Sequence, residues 1–340
     1  MAPDPVTLGR TFLIVGAGSI GNRHLANLRQ LAPQSRIVVL RRESVGDLAG
    51  TDRVVNSIAE ALAERPYAAI VANPAPMHLA VAQQLAEQGC HLLIEKPLSS
   101  SLAGVGALLK ICVERRVTLM VGYNLRFMPS LQRLSELLAA GEIGKIQYLR
   151  AEVGQYLPDW RPATDYRRGV TAQAELGGGA LLELSHEIDL ALWLGGPVVA
   201  VSANIARIGN LDIDVDDCVD LALDFASGAR GSVHMDLLQR VPRRKILVAG
   251  SKGSLKWDYF TDTLRIGRSA ADGWRDVEAL KLADRNDMYV NELKAFLACA
   301  DNGLAAPIDG AAGRNVLAVV EAARRSQQTD QTRMMIEGVS

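Results

Sequence analysis

A glycine-rich run near the start of the chain constrains the fold more than any other feature. Three glycines at a two- and three-residue spacing follow the apolar residues 11–15 and open a stretch with helical periodicity. There the first glycine permits a tight turn, the second lets the backbone approach a pyrophosphate, and the third lets helix and strand pack closely. Phosphates then bind unpaired N–H groups at the positive end of the helix dipole. The predicted dinucleotide-binding residues of this run are Gly16, Gly18, Ser19, Ile20 and Gly21.

Short apolar runs alternate with helix-period stretches over the first third of the chain. Runs that are apolar on both faces are typical of a parallel sheet covered by helices, and their alternation with helices predicts βαβ units. The predicted strands are residues 11–15, 37–40, 68–72, 91–94 and 118–121, and the predicted helices are 21–31, 57–64, 77–88 and 102–115. The pattern therefore predicts an N-terminal Rossmann domain with a doubly wound parallel sheet.

The pattern changes after Tyr123. From residue 198 to about 280, several strands follow one another without intervening helices, which favours a mixed or antiparallel sheet. We predict a helix over 131–140, a strand over 145–155, one helix over 180–194 and two closing helices. A length of 340 residues suits two domains. We predict a Rossmann domain over 1–122 and an α+β domain for substrate binding and oligomerisation over 123–340.

Composition excludes several classes of function. The net charge is −1 and aromatic residues make up 5%, so neither a nucleic-acid surface nor attraction to an anionic membrane is indicated. No apolar stretch approaches the length that spans a bilayer, and a cytoplasmic protein is the expectation. The four cysteines lack metal-ligand spacing, so we predict free thiols and no metal site.

The end of the second predicted strand bears on the choice of cofactor. A carboxylate about 20 residues after the last glycine binds the adenosine ribose in NAD-binding proteins. Here the chain reads Arg41-Arg42-Glu43. Arginines at this point can pair with a 2′-phosphate, which favours NADP over NAD. The alternative is that both arginines are solvated and that Glu43 or a backbone group holds the ribose.

Two regions carry candidate catalytic residues. Lys96 follows a predicted parallel strand, at the edge where open α/β sheets bind ligands, and its ammonium can stabilise a developing alkoxide. His186 lies in the helix predicted after Gly177-Gly178-Gly179 and suits general acid–base work. On one continuous helix, Glu183 and Glu187 would share its face and Asp189 would lie near it. Either Glu183 or Asp189 could orient the imidazole.

Taken together, the motifs resemble the Gfo/Idh/MocA oxidoreductase family over nearly the full length. The matching features are Gly16-x-Gly18-x-x-Gly21, Asn73-Pro74 with His78, Glu95-Lys96-Pro97, and the triple glycine leading to His186 and Asp189. The resemblance implies hydride transfer between NAD(P) and a secondary alcohol carbon of a sugar, nucleotide sugar or cyclitol. It also implies that Lys96 and His186 carry the chemistry, that the Lys96–Pro97 bond is cis, and that Asn73, Pro74, His78 and Glu95 line the cofactor. One departure is Leu182, where the family often has an aspartate.

Aromatic and basic residues cluster in two further segments, residues 123–126 and residues 156–168. Aromatic rings stack on sugars and arginines bind phosphate or carboxylate. The predicted substrate-binding residues are Tyr123, Asn124, Arg126, Tyr156, Trp160, Arg161, Tyr166 and Arg168. The second segment is similar to family members from bacterial surface-polysaccharide and nonulosonic-acid sugar pathways. The alternative is an oligomer contact or a loop packed on its own domain.

Two other functions remain as alternatives, and the sequence also bears on oligomeric state. A non-catalytic NAD(P)-binding sensor or regulator keeps the fold without turnover, although the presence of both Lys96 and His186 argues against it. An NAD-dependent glycosidase of the same fold is the other alternative. A mixed sheet with one face uncovered by helices favours a homodimer or homotetramer.

Overall fold

A computed structural model describes residues 9–42 and 48–336. The chain divides into two compact units. The first runs to Asn124 and also includes Asp284–Arg314, and the second comprises Leu125–Ala283 and the chain from Asn315 onward. Among the described residues, no helix is long and apolar enough to cross a membrane.

The first unit contains a six-stranded parallel sheet with helices along the chain between its strands, which confirms the Rossmann prediction. The spatial order is β3-β2-β1-β4-β5-β6. Its strands are β1 Thr11–Val15, β2 Arg36–Leu40, β3 Arg53–Val55, β4 Ala68–Val71, β5 His91–Glu95 and β6 Leu119–Gly122. Its helices up to Gly122 are α1 Ser19–Leu31, α2 Ile58–Ala63, α3 His78–Glu87 and α4 Val105–Arg115. Strands β4 and β6 are buried along their whole length and β5 is buried except at His91, as their largely apolar sequences require.

The second unit contains a nine-stranded mixed sheet, as predicted. The order is β14-β13-β12-β11-β7-β10-β9-β8-β15, in which β7 and β10 pair in parallel and the other pairs are antiparallel. Its strands are β7 Ile146–Gly154, β8 Val198–Ala206, β9 Cys218–Phe225, β10 Arg230–Asp236, β11 Arg243–Gly250, β12 Gly253–Asp258, β13 Thr263–Gly267, β14 Trp274–Asp276 and β15 Met334–Met335. The helices after β6 are α5 Pro129–Ala139, α6 Ala180–Glu183, α7 His186–Gly195, α8 Asp287–Asn302 and α9 Gly310–Gln328.

The central strands of this sheet alternate between buried and exposed side chains. On β7, Leu149, Ala151 and Val153 are buried, whereas Arg150 between them is exposed. Strands β9 and β10 show the same period of two, with apolar residues inward. One face therefore packs on the core, and the other carries mostly polar side chains.

A segment late in the chain returns to the first unit. The amide of Val121 on β6 donates to the carbonyl oxygen of Ile308 at 2.8 Å, and Met120 forms a bridge with Asp309. Helix α8 packs on α1, where the side-chain amides of Asn27 and Asn286 bond to each other. These contacts explain why Asp284–Arg314 belongs to the first unit, although the sequence predicts it as part of a domain over 123–340.

The prediction of one continuous helix over 180–194 was wrong. Helix α6 ends at Glu183, and Leu184 leaves helical geometry with φ −96° and ψ 20°. Helix α7 begins at His186. Because the helix is broken, the helical face predicted for Glu183, His186 and Glu187 does not exist.

Candidate active site

The turn between β1 and α1 requires glycine at two positions. Gly16 has φ +94°, and a Cβ atom there would lie 2.9 Å from the Ala72 carbonyl oxygen. A Cβ atom on Gly21 would lie 2.1 Å from the carbonyl oxygen of Gly16. Gly18 has open space around it and is the N-cap of α1. The turn thus brings helix and strand together while it leaves the second glycine accessible.

The N-terminus of α1 suits an anionic ligand. No side chain caps Gly18, and the first turn contains no acidic residue. Ser19 is exposed and Ile20 is half-buried. The nearby Asn73 has a buried Oδ1 atom that accepts no hydrogen bond from the described part of the chain. An uncapped helix start and an available amide oxygen fit a dinucleotide, whose pyrophosphate would occupy the N–H groups of the first turn.

The two arginines considered for cofactor choice follow β2 directly. Arg41 is half-buried and Arg42 is exposed. The Arg41 backbone is fixed on both sides, because its N–H donates to Val55 at 3.1 Å and its carbonyl oxygen accepts from the Asn56 side chain at 2.9 Å. Glu43, the alternative ribose-binding residue, lies outside the described residues.

His78 connects the loops that follow β4 and β5. Its Nε2 lies 2.7 Å from the Asn73 carbonyl oxygen, and its Nδ1 lies 3.0 Å from that of Pro97. Burial lowers the pKa of His78, while the contacts with the two carbonyl oxygens and the charge of Glu95 act in the opposite direction. The predicted cofactor-lining residues Asn73, Pro74 and Lys96 are thus carried on loops that a buried imidazole ties together.

Lys96 follows β5 at the carboxyl edge of the parallel sheet and is half-buried. Its bond to Pro97 is cis, as the family resemblance implies. The preceding Glu95 is buried, and its carboxylate accepts the Lys96 backbone N–H at 3.2 Å and lies 2.6 Å from His24 Nε2. A role for Glu95 in cofactor binding stays a prediction.

In the second unit, the triple glycine forms a crowded turn before α6. Gly177 and Gly179 have φ values of +79° and +99°. A Cβ atom on Gly178 would lie 2.5 Å from the Val170 carbonyl oxygen, and one on Gly179 would lie 2.4 Å from Oδ1 of Asp216. Asp216 accepts the Leu181 N–H at 2.8 Å, so the start of α6 is fixed by a carboxylate that needs the glycine beside it.

The two acidic residues that follow His186, Glu187 and Asp189, each form an ion pair with an arginine. Asp189 is buried and accepts two hydrogen bonds from Arg126, at 2.9 and 2.6 Å. Glu187 is equally buried and accepts two from Arg244, at 2.7 and 3.3 Å. Burial raises the pKa of Asp189 and the Arg126 guanidinium acts in the opposite direction. The two pairs fix α7, which begins at His186.

His186 and Glu183 are both half-buried, in contrast to Glu187 and Asp189. Asp189 is already paired with Arg126, and a role for Glu183 or Asp189 in orienting the imidazole stays a prediction. Arg126 was predicted to bind substrate, but its guanidinium contacts Asp189 and lies 5.5 Å from the Trp193 ring centroid. A direct substrate contact by Arg126 stays a prediction.

The predicted substrate segment, residues 156–168 between β7 and α6, is partly held in place by contacts with other residues of the second unit. Arg240 stacks on Tyr156 at 3.5 Å, and the Trp160 indole donates to the Gln155 carbonyl oxygen at 3.2 Å. The Tyr166 hydroxyl accepts the Asp212 N–H at 3.2 Å. Two exposed guanidiniums, of Arg161 and Arg168, form no ion pair with any described residue. The predicted residues Tyr123 and Asn124 are both buried.

Comparison with known proteins identifies the family. Residues 10–123 match the sequence model described as "Oxidoreductase family, NAD-binding Rossmann fold", and residues 131–256 match the "GFO/IDH/MocA C-terminal domain". The chain belongs to the Gfo/Idh/MocA family. It is therefore an oxidoreductase whose first domain is an NAD-binding Rossmann fold, as its sequence predicts.

Three similar proteins illustrate the range of this family. Myo-inositol 2-dehydrogenase of Thermotoga maritima is 28% identical over 92% of this chain and 95% of its own length. UDP-N-acetylglucosamine 3-dehydrogenase of Acidithiobacillus ferrooxidans is 28% identical over 90% and 93%. A levoglucosan dehydrogenase solved in complex with NADH has the same fold, with a TM-score of 0.86 at 22% identity, covering 97% of this chain and 100% of its own.

Three polar residues of the structure were not predicted from the sequence. Arg244 pairs with Glu187, and His24 contacts Glu95, although neither residue belongs to a predicted motif. Glu292 is fully buried on α8. A signal for Glu292 does exist, because it lies four residues from both Met288 and Phe296 on the apolar face of a helix.

Proposed function

We propose that this oxidoreductase transfers hydride between NAD(P) and a secondary alcohol carbon of a sugar, nucleotide sugar or cyclitol. The observation that carries the proposal is the arrangement of the first unit. The uncapped α1 N-terminus follows β1, and Lys96 follows β5 in the same parallel sheet. Because parallel strands end at one edge, both features lie where open α/β sheets bind ligands.

The chain's own residues divide the work as follows. The glycine turn and the first turn of α1 would hold the pyrophosphate, and the Asn73 amide would contact the cofactor. When bound, the cofactor accepts or supplies the hydride. The Lys96 ammonium donates a hydrogen bond to the substrate oxygen and stabilises its negative charge. In the oxidation direction His186 takes the proton of the substrate hydroxyl, and in the reduction direction it returns that proton to the oxygen.

The test is a spectrophotometric screen with both cofactors against nucleotide sugars, free sugars and inositols. On the substrate found, we expect Lys96→Met and His186→Ala each to lower kcat by roughly 10²- to 10⁴-fold, and we expect His186→Ala to retain cofactor affinity. Unchanged turnover of either variant would remove that residue from the mechanism. Tight cofactor binding without any turnover would favour a regulator, and release of sugar without net cofactor reduction would favour a glycosidase.

We propose that the Arg41-Arg42 pair allows NADP to bind in preference to NAD. Support comes from their position directly after β2, where a 2′-phosphate would be within reach of two guanidiniums. A double Arg41→Ala, Arg42→Ala variant should weaken NADPH binding at least tenfold and spare NADH. Arg115→Ala, an exposed change on α4, is the matched control. Equal loss for both cofactors would contradict the preference.

We propose that the substrate carries a negative charge, as a nucleotide sugar does. Arg161 and Arg168 are exposed in the predicted substrate segment, and a similar dehydrogenase is named for UDP-N-acetylglucosamine. Replacing both arginines with glutamine should raise KM for a nucleotide sugar about tenfold or more and leave KM for a neutral cyclitol unchanged. A parallel rise for both substrates would argue for a loop that only packs on its own domain.

We propose a homodimer or homotetramer assembled through the outward face of the nine-stranded sheet. That face carries Arg150, Ser232 and Asp220 on adjacent strands, so its contacts would be largely polar. Light scattering coupled to size exclusion should give twice or four times the chain mass. Arg150→Glu should shift that mass to the monomer, and an unshifted mass would place the contact elsewhere.

A further inference from the structure

Four residues of the types that bind metal ions lie together on the outward face of the nine-stranded sheet. Cys218 and Asp220 alternate along β9, and His234 and Asp236 alternate along β10. The antiparallel register places His234 opposite Asp220 and Asp236 opposite Cys218. Residues two apart on a strand share a face and directly opposite residues are neighbours, so the four side chains lie side by side.

On one side, the His234 ring is held by a carboxylate. Its Nε2 lies 3.0 Å from Oδ2 of Asp236, whose side chain is only 5% exposed. Oδ1 of Asp236 accepts the backbone N–H groups of Leu238 and Gln239 at 2.8 and 2.9 Å, which fixes this carboxylate in place. Nε2 therefore donates to Asp236. Histidines that bind metals commonly have this arrangement, in which the second ring nitrogen donates to a carboxylate and the first binds the ion.

The Nδ1 side of the ring faces two further ligand types. Nδ1 lies 2.7 Å from Oδ1 of Asp220, and one ligand atom each from Cys218, Asp220 and His234 lie within 4.8 Å of one another. Two ligands of one tetrahedral ion lie about 3 Å or more apart, so Asp220 has to withdraw slightly from the ring. Its side chain is 62% exposed and can rotate towards solvent to make that room.

The charges around the thiol favour a cation. Burial and the carboxylates of Asp220, Asp236 and Asp217 raise the pKa of the Cys218 thiol to about 11. The negative charge that disfavours a free thiolate attracts a divalent cation, and a coordinating thiol is deprotonated by the ion it binds. Cys218 is only half-buried, whereas the other three cysteines are buried, so an ion can reach its sulfur.

We propose that Cys218, Asp220 and His234 bind a zinc ion through Sγ, a carboxylate oxygen and Nδ1, while Asp236 orients the imidazole. A thiolate and an imidazole favour zinc over magnesium or calcium, and three protein ligands leave the fourth tetrahedral position to water. The ion replaces the proton between Nδ1 and Asp220 and the proton of the thiol, and both protons pass to solvent. Because the ligands come from two strands, the spacing of the cysteines along the chain does not reveal the site. The proposal does not depend on hydride transfer.

Cobalt substitution in the full-length protein tests the thiolate ligand. After treatment with a chelator, the wild type should bind one Co²⁺ per chain and show the near-ultraviolet absorption of a thiolate–cobalt bond, and Zn²⁺ should displace the cobalt. Cys218→Ser should abolish the band, whereas Cys112→Ser, which changes a buried thiol on α4, should retain it. A wild type that binds neither ion stoichiometrically overturns the proposal, and so does a band that Cys218→Ser retains.

Titration with Zn²⁺ tests the other two ligands. His234→Gln and Asp220→Asn should each weaken binding about 100-fold or more, since loss of a partner outside the ligand set already costs about 10- to 100-fold. Asp224→Asn is the matched control on the same strand and face, where Asp224 pairs with Arg230 and Arg333, and it should stay within about threefold of the wild type.

Equal affinity of the wild type and Asp220→Asn for Zn²⁺ would indicate an adventitious ion only and would overturn the proposal. Should His234→Gln fail to fold, Asp220→Asn still decides, because this side chain is exposed. None of these readouts needs turnover, so a failure of the proposed enzymatic function would be seen separately.

Discussion

At the scale of single residues, Gly16 and Gly21 in the turn between β1 and α1 cannot be replaced by larger residues, because neighbouring atoms leave no room for a side chain. Both obstacles are backbone, and Gly21 is the more demanding position because its Cβ atom would lie only 2.1 Å from the Gly16 carbonyl oxygen, against 2.9 Å for the nearest atom at Gly16. Backbone cannot rotate away as a flexible side chain can, so the helix and strand would have to separate. The cofactor-binding turn and the packing of α1 on β1 therefore both depend on the absence of a side chain at Gly21.

We predict that Gly21→Ala destabilises the protein by about 1–3 kcal/mol and weakens cofactor binding at least tenfold. Chemical denaturation and cofactor titration measure the two effects. Gly106→Ala is the matched control, since its Cβ would meet nothing within 4 Å on α4. That control should raise stability by roughly 0.5–1 kcal/mol. A Gly21→Ala variant that behaved like the control would contradict the crowded turn.

A second prediction concerns the buried pair of Arg244 and Glu187. Arg244→Ala leaves the Glu187 carboxylate buried without its two guanidinium hydrogen bonds, which should cost about 3–5 kcal/mol. The neighbouring Arg243 pairs with Glu152 at the exposed end of the strand, and Arg243→Ala should cost about 1 kcal/mol or less. Similar losses in the free energy of unfolding for the two variants, measured by urea denaturation, would show that burial of the Arg244–Glu187 pair does not affect stability.

At the scale of elements, the start of α6 and α7 is organised by the triple-glycine turn rather than by helix propensity. Helix α6 has only four residues, too few to be stable alone. Its position depends on Asp216, which contacts the backbone of Ala180 and Leu181 and stands against Gly179. His186 follows at the start of the next helix, so the turn sets its place.

We predict that Gly179→Ala costs more stability than Gly196→Ala. Both glycines combine positive φ, +99° and +90°, with extended ψ, 153° and −168°, so each alanine meets backbone strain of about 1–3 kcal/mol. Only at Gly179 would the new Cβ also collide with a neighbour, the Asp216 carboxylate at 2.4 Å. Thermal unfolding of the two variants gives the comparison, and a larger loss for Gly196→Ala would contradict it.

The elements that the sequence predicts are those with strong local signals. The strands of the parallel sheet and the helices between them have long apolar runs or clear periodicity, and they were predicted to within a few residues. Strand β3 was missed because Arg53–Val55 is only three residues long. The break between α6 and α7 carries no proline or glycine, so nothing in the local sequence distinguishes it from a continuous helix. Ion pairs such as Arg126–Asp189 join residues far apart in the sequence, and no periodic pattern encodes them.

At the scale of the whole molecule, one histidine on the outward face of the large sheet links stability to pH. His234 lies between two carboxylates, with Nε2 at 3.0 Å from Asp236 and Nδ1 at 2.7 Å from Asp220. The hydrogen bond to Asp236 and the contacts with Asp220 raise the pKa of His234 from 6.5 to about 9, against the opposing effect of burial. The folded state therefore binds more protons than the unfolded state between these two values.

We predict that the free energy of unfolding falls as the pH rises from 6.5 towards 9, because the raised pKa of His234 stabilises the folded state only while the ring is charged. His234→Gln should flatten this fall. Since His234 is about a third exposed, solvent screening limits the difference to about 1 kcal/mol. Denaturation of both proteins at several pH values measures it, and parallel curves would contradict the linkage.

The pairing of Val121 with Ile308 has a consequence for dissecting the protein. A recombinant fragment that stopped at Gly122 would leave β6 as an uncovered sheet margin of apolar residues, a template for self-association. It would also strip α1 of its helical neighbour α8. An autonomous nucleotide-binding module would instead require residues 284–314 spliced back through a designed linker, so the unit is discontinuous in the gene.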